Sequence, residues 1–267
     1  IGEKTRAILP VHIHGCPADM YEILTIAKQH GLRVIEDAAQ AHGATYKGKA
    51  VGTLGDAAAF SLQSSKNLAA GEGGLFVTRS QSTAEIAHSV RNFGQDVLLE
   101  DALSYSPKRA NDGHRSLQSV RLGAMYRGNE MMAALARGQL QRLTQHTQRC
   151  QQHAQILIDA MTGLEGLKAP TPATNRQSVY HKFRIQFDPQ VLGLKDDPQS
   201  HRTFRDRVVE ALKAEGLEAV LWEEKAQNKQ ELFKSGQMLC SEVPSARVRH
   251  NHQRQYPQAQ HLLDTSW

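Results

Sequence analysis

Short apolar runs alternate with helical periodicity through the first ninety residues of the chain. Between the first two runs, apolar residues recur at helical spacing over residues 18–30, and Gly31 ends that helix. Residues 42–54 are dotted with glycines and predict a surface hairpin, and a second helix is predicted over residues 82–90. Strands that alternate with helices are typical of an α/β domain with a mainly parallel sheet. The four predicted strands cover residues 7–11, 32–35, 57–61 and 75–78.

The pattern changes in the middle of the chain. Residues 92–122 are polar, with turn signals at Ser106-Pro107 and Asp112-Gly113, and they predict a long loop. One helical pattern then extends over residues 129–164, and we expect a bend near Gly138.

The last hundred residues have the pattern of a smaller α+β module. An alternating stretch predicts a strand at residues 179–187, a charged helix follows over residues 198–215, and a short strand is expected at residues 217–222. We therefore expect a large domain in residues 1–140. Residues 141–267 would form a long linking helix and a small C-terminal domain.

The composition narrows the class of protein. Hydrophobic residues make up 40% of the chain and charged residues 22%, which is ordinary for a globular protein, and no apolar run is long enough for a membrane span. The three cysteines are scattered and form no CxxC pair, which favours the reducing cytoplasm. The net charge is +5, but the basic residues form no block of like charge, which favours small anionic substrates over nucleic acid.

Three side chains that could take part in catalysis or binding lie at or after strand ends in the first domain. Asp37 comes two residues after one predicted strand, and Ser61 is the last residue of the next, five residues before Lys66. Ligands of parallel α/β sheets collect at the carboxyl ends of the strands, so these residues are expected at one edge. Pyridoxal phosphate (PLP) needs a lysine that reacts with its aldehyde and an acid that pairs with its ring nitrogen. The sequence therefore predicts a PLP site.

A set of motifs resembles the DegT/DnrJ/StrS sugar aminotransferase family. The resemblance is strongest over residues 7–80 and continues more weakly toward the end of the chain. It implies the PLP fold-type I architecture: a mainly parallel sheet flanked by helices, with a smaller α+β C-terminal domain. The motifs that carry it are Pro10-Val11-His12, Pro17–Met20, Val34–Gly43, Gly52–Asp56, Phe60-Ser61, Lys66–Leu68 and Gly71–Gly74.

The resemblance assigns roles to five residues. Lys66 would bind PLP covalently and move protons during catalysis, and Asp37 would pair with the pyridine nitrogen. Gln40 would contact the ring oxygen or face, and Ser61 would donate a hydrogen bond to the phosphate. His181 would lie near the mouth of the site and contact the substrate. A strand residue satisfied by packing is an equally good interpretation of His181.

The family resemblance also implies the reaction. An amino group would pass from glutamate or glutamine to a keto-sugar linked to a nucleotide, or to a keto-cyclitol. A homodimer is implied, because family active sites lie at subunit interfaces. One alternative is a PLP-dependent sugar dehydratase, but those members carry histidine in place of Lys66. The other is a non-catalytic regulatory or sensor protein on the same fold.

Some parts of the sequence depart from the family pattern. Met125 stands where the family has an asparagine that reaches the partner's phosphate, and residues 222–227 replace a proline-bearing loop. The family's N-terminal part, with a phosphate loop and a ring-stacking aromatic residue, has no counterpart, so we expect a fragment that binds PLP weakly by itself.

Histidines elsewhere raise the question of a metal site. His12, His14 and Cys16 offer three potential zinc ligands, but no second ligand pair follows at the usual spacing, so no metal is expected. His250 and His252 are interpreted as part of a hydrated surface turn.

Overall fold

The computed structural model describes residues 1–95, 118–221, 226, 229–230 and 256–266. The polar segment expected to form a loop lies largely outside these residues, and so do most of residues 222–227 and the His250–His252 turn. Within the described residues, no helix is both long and apolar enough to cross a membrane.

A four-stranded sheet forms the centre of the first part of the chain. In spatial order its strands are β1 (Ala7–Ile8), β2 (Arg33–Asp37), β5 (Ala57–Ser61) and β6 (Gly74–Thr78). β1, β2 and β5 are parallel, and β6 runs antiparallel to β5. These elements confirm the predicted α/β sheet.

Helix α1 (Met20–Gln29) connects β1 to β2 and covers one face of the sheet. Its apolar side chains Met20 and Ala27 are buried in one cluster with Val34 of β2 and Tyr46. Burial of this size stabilises the sheet by roughly 1.5–3 kcal/mol for each large side chain. The predicted helix over residues 18–30 is therefore confirmed, although the observed helix begins at Met20 and ends at Gln29.

The predicted surface hairpin is also present. Strands β3 (Thr45–Tyr46) and β4 (Lys49–Ala50) pair antiparallel, and Lys47 and Gly48 at the tip both have positive φ. A third strand, β8 (Arg176–Gln177), adds to β3 from far along the chain.

Two helices complete the first part. Helix α2 (Gln81–Val90) begins at Ser80, whose hydroxyl accepts a hydrogen bond from the Thr83 amide as an N-cap. Helix α3 (Glu130–Met161) is a single long helix and is uninterrupted at Gly138, where a bend was expected.

Two further strands and two further helices lie beyond α3 in the described part of the chain. Strands β7 (Leu167–Lys168) and β9 (Gln186–Phe187) pair antiparallel. Helix α4 (Pro198–Ala214) matches the predicted charged helix, and α5 (Pro257–Asp264) packs against it. The guanidinium of the buried Arg205 donates to the Leu263 carbonyl at 2.6 Å.

Two predicted strands are wrong. Residues 179–187 form no continuous strand, because Tyr180 has a left-handed φ of 46° and turns the chain; only Gln186–Phe187 is extended and paired. Residues 217–221, the described part of the other expected strand, pair with no strand in the described residues.

Contacts along the chain group it into two compact units. The first contains residues 1–155 and 172–182, and the second contains residues 156–171 and 183–267. The first unit therefore includes His181 and most of α3. The domain boundary that the sequence predicts at residue 140 stays a prediction.

Candidate active site

The carboxyl ends of β2 and β5 bring two of the predicted residues onto one face of the sheet. Asp37, the last residue of β2, pairs in register with Ala59 of β5. Ser61 is two residues beyond Ala59 in the same strand. Because side chains alternate between the faces of a strand, the side chains of Asp37 and Ser61 lie on the same face.

Asp37 is held firmly and keeps one oxygen unused. Its amide donates to the Pro10 carbonyl at 2.9 Å, and its carbonyl accepts from the His12 amide at 3.0 Å. The carboxylate Oδ1 accepts from the Ala39 amide at 3.0 Å, which is a local turn rather than a helix cap. Within the described residues, Oδ2 has no hydrogen-bond partner. An acceptor at the sheet edge is what a protonated ring nitrogen requires.

Lys66 lies on a tight turn that follows β5. Its amide donates to the Gln63 carbonyl at 3.0 Å, and Lys66 itself is half-buried. Leu62 and Leu68, on either side of the turn, are buried in one cluster against α3. The apolar residues that flank the turn therefore anchor it in the core. The polar residues of the turn, including Lys66, remain at the candidate active site.

Two imidazoles lie within electrostatic range of the Lys66 ammonium. Burial lowers the pKa of His42, and the charge of Lys66 lowers it further. Burial is also the larger cause that lowers the pKa of His181, to about 4, and Lys66 is the next. Both rings are therefore neutral at physiological pH. Both ring nitrogens of His42 are buried and have no hydrogen-bond partner among the described residues.

His181 reaches Lys66 from a segment far away in the sequence. The Val179 amide and the Ser178 hydroxyl both donate to the Gly15 carbonyl, at 3.0 Å and 3.2 Å. The His181 ring nitrogen Nδ1 lies 2.7 Å from Oδ1 of Asn67, the residue next to Lys66. The tertiary fold thus brings together Lys66 and His181, which the sequence separates by more than a hundred residues.

Gln40 lies beside the same segment and has one end of its amide committed. Its Oε1 accepts from the His14 amide at 2.7 Å. The Nε2 group consequently points its donors elsewhere, as a contact with an oxygen of a cofactor requires. Ser61 is in a similar position: its Oγ accepts from the Gln63 amide at 3.3 Å, and the hydroxyl proton stays available to donate.

Glu36 is a structural residue that the sequence reasoning missed. It is fully buried, and its carboxylate accepts from the amides of Gly52, Leu54 and Gly55 at 2.7–2.8 Å and from Nε2 of His12 at 3.0 Å. Burial alone would raise the pKa of Glu36, but these hydrogen bonds outweigh it and hold the pKa below its usual value. Glu36 therefore fixes the end of β2 next to Asp37.

His12 has no nitrogen left for a metal. Its Nε2 faces Glu36, and its Nδ1 accepts from the Ala18 amide at 3.0 Å. In the described part of the chain, no three His, Cys, Asp or Glu side chains are grouped to hold a metal ion.

The residues present fit PLP. Asp37 offers an acceptor for the ring nitrogen, and Ser61 and Gln40 offer donors for oxygens. The amide Nδ2 of Asn67 is buried beside Lys66 with no partner among the described residues. Met125 is largely exposed, and its thioether cannot donate a hydrogen bond to a phosphate.

Comparisons with known proteins identify the family of the chain. A sequence model of the DegT/DnrJ/EryC1/StrS aminotransferase family matches residues 1–264. The chain is 36% identical over 222 residues to a putative L-glutamine:3-amino-2,3-dideoxy-scyllo-inosose aminotransferase of Streptoalloteichus tenebrarius, which covers 82% of this chain and 48% of that protein. It is 35% identical over 206 residues to the dTDP-3-amino-3,4,6-trideoxy-alpha-D-glucose transaminase of Streptomyces venezuelae, which covers 77% of this chain and 48% of that protein.

The fold is similar to that of solved aminotransferases. The aminotransferase from Psychrobacter cryohalolentis aligns with a TM-score of 0.79 and 27% identity, over 100% of this chain and 63% of the other. The expected aminotransferase-like α/β fold is thereby confirmed. The chain spans about half the length of the curated relatives it matches.

Proposed function

Because the chain belongs to the DegT/DnrJ/EryC1/StrS aminotransferase family, we propose that the protein is a PLP-dependent aminotransferase. It takes an amino group from glutamate or glutamine and gives it to a keto-sugar, linked to a nucleotide, or to a keto-cyclitol. Relatives named for an amino-cyclitol and for a dTDP-sugar support both acceptor classes. The observation that carries the proposal is the position of Lys66, on the turn after β5, beside two neutral imidazoles.

Each candidate site residue would have a separate role in binding the cofactor, transferring protons or contacting the substrate. Bound PLP supplies an electron sink for the carbon that exchanges its amino group. Lys66 would hold the cofactor through Nζ and, as a free amine, accept and return a proton. Asp37 would keep the ring nitrogen protonated through its unused Oδ2. Ser61 and Gln40 would orient the phosphate and the ring, and His181 would contact the acceptor substrate.

Lys66 also separates this proposal from the dehydratase alternative. Dehydratases of the family carry histidine at this position, and a histidine cannot form the covalent link that an amine forms. The sensor alternative makes a different prediction: such a protein would transfer no amino group to any acceptor. An assay with glutamate or glutamine and a panel of keto-sugars and keto-cyclitols distinguishes the two.

The direct test uses the intact protein and the Lys66→Ala variant. We expect the variant to lose both the near-visible absorbance of lysine-bound PLP and amino transfer. The exposed Lys28→Ala is the matched control, and it should keep both. An absorbance band that persists in Lys66→Ala with turnover intact would contradict the assignment of Lys66.

We further propose that the protein acts as a homodimer in the cytoplasm. Large apolar side chains are exposed in the segment before α3 and at its start, where a partner subunit would cover them. The cytoplasm is the location that the scattered cysteines predict.

A further inference from the structure

The hydrogen bond between Asn67 and His181 determines which nitrogen of the histidine carries the proton. The Oδ1 atom of Asn67 lies 2.7 Å from Nδ1 of His181. An amide oxygen can only accept a hydrogen bond, so Nδ1 of His181 must donate. In a neutral imidazole the other nitrogen, Nε2, then carries the lone pair and can only accept.

The surroundings of His181 keep the ring neutral. Its pKa is lowered to about 4, first by burial and then by the positive charges of Lys66 and Lys182, together with His14 and His42. No acidic group is among the causes that act on this pKa. The ring therefore cannot serve as a cation that attracts a phosphate or carboxylate at neutral pH.

Asn67 and His181 both lie on segments that the surrounding structure fixes in place. Asn67 is the neighbour of Lys66 on a turn that the buried Leu62 and Leu68 anchor. The segment before His181 is fixed to Gly15, where an added Cβ would lie 2.6 Å from Cγ2 of Val179 and 3.0 Å from the His181 amide nitrogen. The ring thus has little freedom to exchange its two nitrogens.

We propose that Asn67 is a positioning residue that holds His181 as a hydrogen-bond acceptor at Nε2, so that the site selects its acceptor substrate by a hydroxyl group rather than by an anionic group. This inference rests on the proposed function and narrows its substrate class. A hydroxyl of a keto-sugar or keto-cyclitol donates to Nε2. The phosphates of a nucleotide-linked substrate are bound by other residues.

The first test measures the tautomer in the intact protein without any substrate. Histidine is labelled with carbon-13 and nitrogen-15, and the ring resonances of His181 are assigned by their loss in His181→Gln. We expect a neutral ring protonated at Nδ1 in the wild type. In Asn67→Leu, which keeps the size but removes the acceptor, the proton should move to Nε2. In Asn67→Asp the added carboxylate should raise the pKa of His181.

The three variants make the tautomer test decisive. A wild-type ring protonated at Nε2, or a tautomer that Asn67→Leu leaves unchanged, would overturn the positioning role. Should Asn67→Leu fold poorly, Asn67→Asp preserves an acceptor at the same place, and an unchanged His181 pKa in that variant would contradict the proposal equally.

The second test measures selection by the PLP-loaded enzyme. Deoxy analogues of an accepted keto substrate each lack one hydroxyl. We expect one analogue to lose about tenfold in kcat/KM, the size of one net hydrogen bond. In Asn67→Leu that discrimination should shrink, while the KM of the amino donor stays the same. Gln81→Leu, an exposed amide on α2, is the control and should discriminate like the wild type.

The two proposals fail in different ways. If no keto substrate is aminated, the proposed function fails, while the tautomer of His181 still reports on Asn67. If amination proceeds but all deoxy analogues react alike, or the tautomer does not respond, only the role of Asn67 and His181 is wrong.

Discussion

Glu36 receives four hydrogen bonds within the protein and reaches no solvent. It links the end of β2, where Asp37 lies, to the loop at Gly52–Gly55. A buried charge is stable only when its hydrogen-bonding capacity is filled, and here backbone amides fill most of it. The position of Asp37 therefore depends on a neighbour that is fully buried.

Glu36→Gln should destabilise the protein strongly. The amide keeps one oxygen but turns its NH₂ toward backbone donors, so at least one buried N–H loses its partner. We expect a loss of about 3 kcal/mol in the free energy of unfolding, measured by urea denaturation. Glu85→Gln, at an exposed position on α2, should change it by less than about 0.5 kcal/mol. Equal losses in the two variants would contradict the role of Glu36.

Glu36 also predicts how stability depends on acid. The pKa of its carboxyl is lower in the folded protein than its ordinary value of 4.5. The stabilisation is therefore complete above about pH 4.5 and is lost as the pH falls through the lower, folded pKa. Unfolding free energies measured from pH 7 to pH 3 should decline less steeply below pH 4.5 in Glu36→Gln than in the wild type.

His181 acts in a higher pH window. Its pKa lies near 4 in the folded protein against an ordinary 6.5, so the unfolded chain binds a proton that the folded chain does not. Stability should consequently fall as the pH drops from 6.5 to about 4. His181→Asn should flatten the slope of unfolding free energy against pH in that window. An unchanged slope would show that the ring is protonated in the folded state.

At the scale of elements, the regular strands and helices follow from apolar spacing. The predicted bounds of β2, β5 and α1 are correct to within about two residues, because the spacing of their apolar residues marks where each element lies. The expected strand at residues 179–187 is wrong for a reason that alternation cannot reveal. Tyr180 adopts a left-handed φ, and Ser178 bonds back to Gly15 instead of continuing a ladder.

Gly15 and Gly48 form a matched pair that isolates the contact made by this segment. Both have positive φ, but a Cβ on Gly48 would meet nothing within 4 Å, whereas one on Gly15 would meet Val179 at 2.6 Å. We expect Gly48→Ala to cost about 1 kcal/mol of unfolding free energy from backbone strain. Gly15→Ala should cost clearly more.

The same pair has a spectroscopic readout. Gly15→Ala should shift the ring resonances of His181, because the segment before it must move to admit the methyl group. Gly48→Ala should leave those resonances in place. Similar unfolding free energies in the two alanine variants, with His181 unmoved in both, would show that the 178–181 segment is not fixed through Gly15.

At the scale of the whole molecule, the exposed apolar side chains near α3 predict the subunit interface. Leu122 is 97% exposed, Tyr126 72% and Met131 80%. Leu122→Asp should weaken dimerisation of the intact protein, measured by sedimentation velocity over a range of concentrations. Val191→Asp, at an apolar position that is 58% exposed in the other unit, is the control. A dimer that both variants leave unchanged would place the interface elsewhere.

The sequence by itself determined the pattern of strands and helices in the first ninety residues, the lysine and aspartate that follow strands, and the family, since local apolar spacing and short motifs encode all of these. Only the tertiary structure decided that both ring nitrogens of His12 are hydrogen-bonded within the protein, one of them to Glu36. It also decided that His181 meets Asn67 beside Lys66. Those contacts join residues far apart in the chain, and their geometry depends on a left-handed turn at Tyr180 and a close approach at Gly15. No local pattern of hydrophobic and polar residues specifies either feature.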